Sequence, residues 1–251
     1  MIYLYDGSFY GLLTCIYEHY YVEPVVEIFD QHIFLGSVLD TTLFIEADEE
    51  KAIKVETAIR DKFSMQGYLD MYRTFLSNDL YKDCYILDYV VHGFKIGTKM
   101  DRLYTESYVL KIRQLSRKVG FEAHRFNGLL RFVEKKPFLY AKFEPDHDIL
   151  VIIAEHFADR FYHERIIIHD TKRQKAVISH KGQWFVQEAC TMQTLDALIE
   201  IPLTEEENLL QQLWKGYFEH IGIEGRKNLK LQQQFVPLKY RKHILEFNTQ
   251  S

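Results

Sequence analysis

The sequence predicts an α+β protein with an antiparallel sheet of short strands, several covering helices and a C-terminal helical segment. Three observations favour this class. Apolar residues recur at helical spacing through residues 1–128, short β-rich runs fill residues 129–188, and a helical pattern returns after Pro202. We therefore expect an α+β core over residues 1–201 and a basic helical segment over residues 202–251 that packs on the same core.

The first half of the chain is expected to open with a short strand and continue as helices. MIYLY is the strand, and Asp6 or Ser8 is the expected N-cap of the next helix. The stretch DEEKAIKVETAIRDKFS predicts a second helix, and residues 68–94 and 104–119 are also helical in pattern. Little strand is expected in this half.

Residues 129–188 have the pattern of paired strands. LLRFVEKKPFLYAKF is a hairpin candidate, and RIIIHD, KAVISH and QWFVQEA are three further short strands separated by polar turns. Strands joined by short turns pair antiparallel, so we expect an antiparallel sheet. FEPDHDILVIIAEHFADRF predicts a helix before these three strands, with Asp146 as its N-cap and Asp148 in its first turn.

The C-terminal segment begins with a capping-box pattern at residues 204–207, in which Thr204 caps a helix and Glu207 reaches back to the cap. Gly222 or Gly225 is the expected end of this helix. Its apolar stripe is formed by Leu210, Leu213, Trp214, Tyr217 and Ile221.

Composition narrows the class of protein. With 251 residues, 47% of them hydrophobic, the chain is long enough to bury a sizeable core. Cys15, Cys84 and Cys190 are far apart, so neither a metal site nor a cysteine-held iron–sulfur cluster is expected in this chain. The start lacks a signal-peptide pattern, no run is long and apolar enough to span a membrane, and the isolated thiols suit the cytoplasm.

Charge is unevenly distributed along the chain, whose total is −5. Residues 1–56 carry a net charge of −9, while residues 111–136 carry +6 and residues 213–243 carry +5. A chain with such a distribution can present a basic surface to a polyanion despite its negative sum. The alternative is that these charges only solvate helix surfaces.

One cluster resembles a catalytic site in its residue types. Asp146, His147 and Asp148 lie close together, and His169 and Asp170 would join them if their strand lies beside the hairpin. These side chains could serve a hydrolase as acids, bases or ligand contacts. The simpler interpretation is that the aspartates cap a helix, and no catalytic motif supports a named reaction.

Several segments together resemble a bacterial family labelled "probable DNA metabolism protein". They are YDGSFYGLLTCIY, FEPDHDILVIIAEHFADRF, RIIIHDTKRQKAV and LWKGYFEHIGIEGRKNLKLQQQFVPLKYRKHILEF, in the expected order along nearly the whole chain. One departure concerns the family's closing Tyr-Trp-Lys, which here is Tyr240-Arg241-Lys242. Because of this departure, the family's tryptophan is not available to stack on a nucleobase at this position, where Arg241 could still pair with a phosphate.

The resemblance implies a biological setting. Members of this family are encoded beside a radical S-adenosylmethionine protein assigned to DNA repair or modification, and related domains are fused to uracil-DNA glycosylase-type domains. S-adenosylmethionine and an iron–sulfur cluster would then belong to that separate partner chain. This chain would be an accessory protein, with no cofactor of its own.

Two basic regions are the candidates for DNA contact, because bases there alternate with amides and aromatic residues. The alternative is an ordinary basic amphipathic tail. The candidate residues are Arg117, Lys118, His124, Arg125, Arg131, Arg226, Lys227, Lys230, Lys239, Tyr240 and Arg241.

Three functions remain open at this point. The leading hypothesis is an accessory protein in DNA repair or modification that binds DNA, the radical enzyme, or both. The second is a DNA- or nucleotide-directed hydrolase that uses the Asp146, His147, Asp148, His169 and Asp170 cluster. The third is a subunit that contacts only proteins.

Overall fold

The computed structural model describes residues 1–36, 40–188, 202–221 and 223–247. The chain forms two compact units, Met1–Gly120 and Phe121–Ser251. Both units combine helices with a sheet, which confirms the α+β class. The expected boundary at 201/202 adjoins residues 189–201, which lie outside the described residues, and it stays a prediction.

The first unit contains a three-stranded sheet with the order β2-β1-β3, in which both pairings are parallel. The predicted opening strand is present as β1, but the other two strands are additions to the sequence prediction. They have only three or four residues each, too few to show a clear alternation. The strands are β1 (Ile2–Tyr5), β2 (Glu27–Asp30) and β3 (Thr42–Phe44).

Five α-helices start in the first unit. Ser8 caps the first, because its side-chain oxygen accepts a hydrogen bond from the Gly11 N–H at 2.9 Å. The helical pattern at residues 68–94 belongs to two helices, and Asp79 accepts from the Tyr81 N–H in the turn between them. The helices are α1 (Phe9–Tyr21), α2 (Glu49–Lys62), α3 (Met65–Phe75), α4 (Lys82–Ile96) and α5 (Ser107–Leu129), with a 3₁₀ helix at Gly97–Arg102.

The second unit contains a five-stranded sheet with the order β4-β5-β6-β7-β8. The β4–β5 hairpin and the β6–β7–β8 meander are antiparallel, as expected. The prediction of a fully antiparallel sheet is wrong at the centre of this sheet, where β5 and β6 pair in parallel. Helix α6 connects these two strands and carries the chain back, so that both strands run in the same direction. The elements are β4 (Val133–Lys135), β5 (Phe138–Phe143), α6 (Leu150–Arg160), β6 (Arg165–Asp170), β7 (Lys175–His180) and β8 (Gln183–Gln187).

The two faces of this sheet have different environments. Helix α6 packs against β6, β7 and β8. Tyr140, Ile167 and Ala176 form a separate buried cluster, with Phe138 and Ile178 packed against it and no α6 residue in it. The strand register places these five side chains on one face. We call it the Tyr140 face, and α6 covers the opposite one.

The C-terminal part of the second unit is helical, as predicted. Thr204 caps α7, since its hydroxyl oxygen accepts from the Glu207 N–H at 3.1 Å. The Glu207 carboxylate accepts from the Glu134 N–H and from the Gln211 side chain. The helices are α7 (Glu205–Ile221) and α8 (Leu229–Phe235), followed by 3₁₀ turns at Leu238–His243 and Leu245–Phe247. Among the described residues, no helix combines the length and apolarity that crossing a membrane requires.

One carboxyl group is buried in the first unit without a hydrogen bond. Asp83, in the first turn of α4, has no exposed surface, and its carboxyl group lies near the buried Tyr5 hydroxyl without the geometry of a normal hydrogen bond. Burial disfavours the charged form and raises the pKa of Asp83 from 3.8 to about 6. The folded state therefore holds this proton more tightly than the unfolded state does.

We predict that Asp83→Asn stabilises the protein at neutral pH by up to about 3 kcal/mol, the equivalent of the shift in pKa. In the wild type, the contribution of Asp83 makes stability fall as pH rises from 3.8 to about 6 and leaves it lower above that range. Denaturant unfolding at several pH values measures both effects. Asp61→Asn, at an exposed position of α2, is the matched control. Equal stability of Asp83→Asn and wild type at neutral pH would contradict the prediction.

Candidate functional site

A buried carboxylate holds the 144–148 loop, which connects β5 to α6. Glu122 on α5 is 3% exposed, and its two oxygens accept from the backbone N–H groups of Asp146 and His147, both at 2.8 Å. The Tyr240 hydroxyl donates to the same carboxylate. One side chain therefore fixes both the loop and the C-terminal 3₁₀ turn.

Arg173 braces the same loop from the β6–β7 turn. Its guanidinium donates to the carbonyl oxygens of Pro145 and Asp146 and to the buried Asp170 carboxylate. Asp170 also accepts from the backbone N–H groups of Lys172 and Arg173. Burial raises the pKa of Asp170, against the opposing effect of Arg173. These contacts give Asp170 a structural role in the turn.

The helix prediction was wrong about Asp146. Helix α6 begins at Leu150, and Ile149 precedes it without a side-chain cap. The Asp146 carboxylate forms an ion pair with Lys239, and Asp148 forms one with Lys175 at 3.3 Å. Both aspartates thus neutralise lysines that are distant in sequence.

The two histidines of the predicted cluster are buried in different surroundings. His147 is 8% exposed beside Glu122, whereas His169 has no exposed surface. His169 Nδ1 lies 2.9 Å from the Tyr140 hydroxyl, and burial lowers its pKa, which favours the neutral ring. His169 shares the Tyr140 face, so its strand neighbour Asp170 points to the opposite face.

The five candidate catalytic residues are therefore not brought into one pocket. The aspartates have separate partners in Lys239, Lys175 and Arg173. Within the described part of the chain, no group of three or more His, Cys, Asp or Glu side chains is arranged to hold a metal ion. The geometry supplies no observation in favour of the hydrolase hypothesis.

Several of the predicted DNA-contacting residues have intramolecular partners, including Arg131, Lys239, Tyr240 and Arg241. Lys239 pairs with Asp146, and Arg131 pairs with Glu246 at 2.6 Å. Tyr240 is 6% exposed, so its ring is not available to stack on a base. Arg241 donates to the Val236 carbonyl and to the Gln232 side chain.

The other seven predicted residues are exposed. Arg125 on α5 donates to the Gln234 carbonyl at 3.5 Å, which brings it beside the end of α8. Arg117 and Lys118 lie on the part of α5 that belongs to the first unit. The exposed set consists of Arg117, Lys118, His124, Arg125, Arg226, Lys227 and Lys230.

A groove of about 890 Å³ lies within the second unit, and we call it the sheet–helix groove. Tyr140 and Lys142 of β5 line it from the Tyr140 face, and Gln211 and Trp214 line it from α7. Its volume is within the range of about 300–1,000 Å³ that is typical of ligand sites. The remaining basic and imidazole side chains in its wall are Arg131, Lys135, Lys242 and His243.

The charge of the sheet–helix groove is only partly compensated. Glu144 pairs with Lys242 and lies 3.2 Å from His243, and Lys242 lowers the pKa of Glu144 to about 2. Lys142 is exposed and forms no hydrogen bond or ion pair with any described residue. Among the described residues that line the groove, Glu207 is the one acidic side chain. The wall therefore keeps a positive character beside aromatic rings.

The sequence contains a signal for this groove in the strand FLYAKF. In FLYAKF, Phe138, Tyr140 and Lys142 alternate with Leu139 and Ala141, so an aromatic and basic row shares one face of the strand. For Trp214 the helical spacing indicates only a place in the apolar stripe of α7.

Comparison with known proteins places the chain in a family. Residues 81–246 match the domain of unknown function DUF4130, over more than half of the chain. The protein is a member of the DUF4130 family. No curated protein and no solved structure matches it. The DUF4130 match includes the 144–148 loop and every residue that lines the sheet–helix groove.

We predict that Glu122→Ala destabilises this DUF4130 protein by about 3 kcal/mol or more, because two backbone N–H groups and a tyrosine hydroxyl lose a buried charged acceptor. Thermal and denaturant unfolding measure the loss. The matched control is Asp146→Ala, which removes a partly exposed ion pair and should cost no more than about 1 kcal/mol. Equal effects of the two substitutions would contradict the role given to Glu122.

Proposed function

We propose that the protein is an accessory factor in DNA repair or modification that binds nucleic acid through its second unit. The observation that supports this most directly is the sheet–helix groove, where Lys142, Arg131 and Lys135 lie beside Tyr140 and Trp214. Cationic and aromatic side chains in one groove are the combination that proteins use for nucleic-acid strands. The resemblance to DNA metabolism proteins agrees with this chemistry.

The internal ion pairs determine which basic side chains are available to bind nucleic acid. Of the cationic side chains that line the groove, Arg131 is balanced by Glu246 and Lys242 by Glu144. Breaking such a pair to contact a phosphate would oppose the gain from the new contact. Lys142 has no such partner among the described residues, so a phosphate contact made by Lys142 replaces no ion pair there.

Exposed basic side chains near α8 extend the proposed nucleic-acid surface. Arg226, Lys227 and Lys230 lie at the start of α8, and Arg125 lies beside the end of that helix. All four belong to the second unit, as does the sheet–helix groove. A strand that leaves the groove would meet further positive charge on this unit.

A protein partner is the second part of the proposal. The resemblance implies a radical S-adenosylmethionine enzyme on a separate chain, which would carry the iron–sulfur cluster and the reaction. Residues 1–56, with their net charge of −9, are better suited to a protein than to DNA. Tyr20 and Tyr21 on α1 are 44% and 73% exposed, and exposed aromatic side chains are frequent in protein interfaces.

Lys142→Ala should weaken the binding of a single-stranded oligonucleotide several-fold. It should also reduce the slope of log affinity against log salt by about one, since one phosphate contact is lost. Fluorescence anisotropy over a series of salt concentrations measures both quantities. Lys95→Ala, which removes an exposed lysine on α4 of the first unit, is the control and should change neither. An unchanged salt slope in Lys142→Ala would contradict the contact.

Replacing Arg226, Lys227 and Lys230 together with alanine should weaken binding further. It should reduce the slope of log affinity against log salt by up to about three, because up to three phosphate contacts are lost. The same titration applies, with circular dichroism as the check on folding. Wild-type affinity in this triple variant would exclude the tail from the binding surface. Co-purification with the radical enzyme, without retention of any oligonucleotide, would favour a subunit that contacts only proteins.

A further inference from the structure

We infer that the sheet–helix groove takes an unpaired nucleotide whose base stacks on Trp214, so the ligand of this site is single-stranded. This inference rests on the proposed function and specifies the substrate class of the same site. The observations behind it are the exposure of Trp214, the size of the groove, and the arrangement of polar groups around the ring.

Trp214 is a large aromatic residue that the fold leaves uncovered. It is 42% exposed on α7, a helix without a buried side chain, yet it lines the groove. The Tyr217 ring lies 5.8 Å from it, tilted by 31°, and supports it from the same helix. An indole ring that is exposed inside a positively charged groove is a surface on which a base can stack.

The groove suits an unpaired base and not a duplex. Stacking on Trp214 requires access to the face of a base, and in a duplex both faces are covered by neighbouring base pairs. A volume of about 890 Å³ accommodates a small ligand of nucleotide size.

The polar groups are placed to hold the rest of a nucleotide. Lys142 lines the groove from the Tyr140 face and can pair with a phosphate. Gln211 lies one turn before Trp214 in the direction of the N-terminus of α7. Its side-chain N–H donates to Glu207 at 2.8 Å, so its carbonyl oxygen is directed away from that contact and can accept from a base.

The two tryptophans of the chain allow a direct test. Trp184 lies on the opposite face of the sheet from the Tyr140 face, so Trp184→Phe leaves Trp214 as the sole indole reporter in an otherwise intact groove. Titration of this variant with a single-stranded DNA oligonucleotide should quench its tryptophan fluorescence. A duplex of the same sequence should produce no quenching and should compete poorly.

A second variant separates stacking from charge. Trp214→Leu should weaken single-strand binding by about tenfold, a typical loss for one stacked base, while leaving the salt slope unchanged because no phosphate contact is removed. Trp184→Leu is the matched control and should bind as the wild type does. Lys142→Ala should show the opposite pattern, with a reduced slope.

The outcomes distinguish single-strand stacking on Trp214 from the proposed nucleic-acid binding in general. Salt-dependent binding of single strand and duplex with equal affinity, without quenching of Trp214, would overturn this inference and leave the proposed function standing. Absence of binding to either form of DNA would overturn both. Quenching by the single strand alone, with the loss of affinity in Trp214→Leu, is the expected result.

Discussion

The second unit depends on the Glu122 carboxylate. It is nearly inaccessible to solvent and receives hydrogen bonds from the Asp146 and His147 backbone and from the Tyr240 hydroxyl. These partners join α5, the 144–148 loop and the C-terminal 3₁₀ turn. Since a buried carboxylate without partners is costly, the three segments stabilise the charge and the charge in turn fixes their positions. The wall of the sheet–helix groove that contains Lys242 and His243 is built on this arrangement.

The acids around the 144–148 loop set the local charge. Glu144 and Asp146 neutralise Lys242 and Lys239, and Asp170 holds Arg173 against the loop carbonyls. The tail is therefore less positive than its sequence indicates. The positive character of the groove comes from the face of the sheet, where Lys142 has no acidic partner among the described residues.

The sequence predicts what depends on local pattern. The Ser8 and Thr204 caps, the β4–β5 hairpin and the β6–β7–β8 meander all follow from residues within one element or one turn. The parallel β5–β6 pairing depends on how α6 packs, which is a tertiary property. The hydroxyl of Tyr240 finds its acceptor 118 residues away, and no local pattern contains that contact. The opposite orientations of the His169 and Asp170 side chains can be predicted from the sequence, because successive side chains along a strand point to opposite faces of the sheet.

For the candidate site too, the sequence shows which side chains are basic but not which of them the fold brings together. Arg226, Lys227 and Lys230 are exposed, and their charge could be recognised from composition alone. Lys142 and Trp214 come together only because β5 and α7 lie on two sides of one cavity. A pattern of isolated basic and aromatic residues thus became a candidate site through the packing of elements about seventy residues apart.

The parallel pairing of β5 with β6 has a consequence for how the second unit forms. The β4–β5 hairpin and the β6–β7–β8 meander each close through short turns, so the contacts within each are local in sequence. The hydrogen bonds that unite them form only after α6 has crossed between the two strands. The β5–β6 pairing is therefore the non-local step in forming this sheet, and the Tyr140 face is complete only when these two strands have paired.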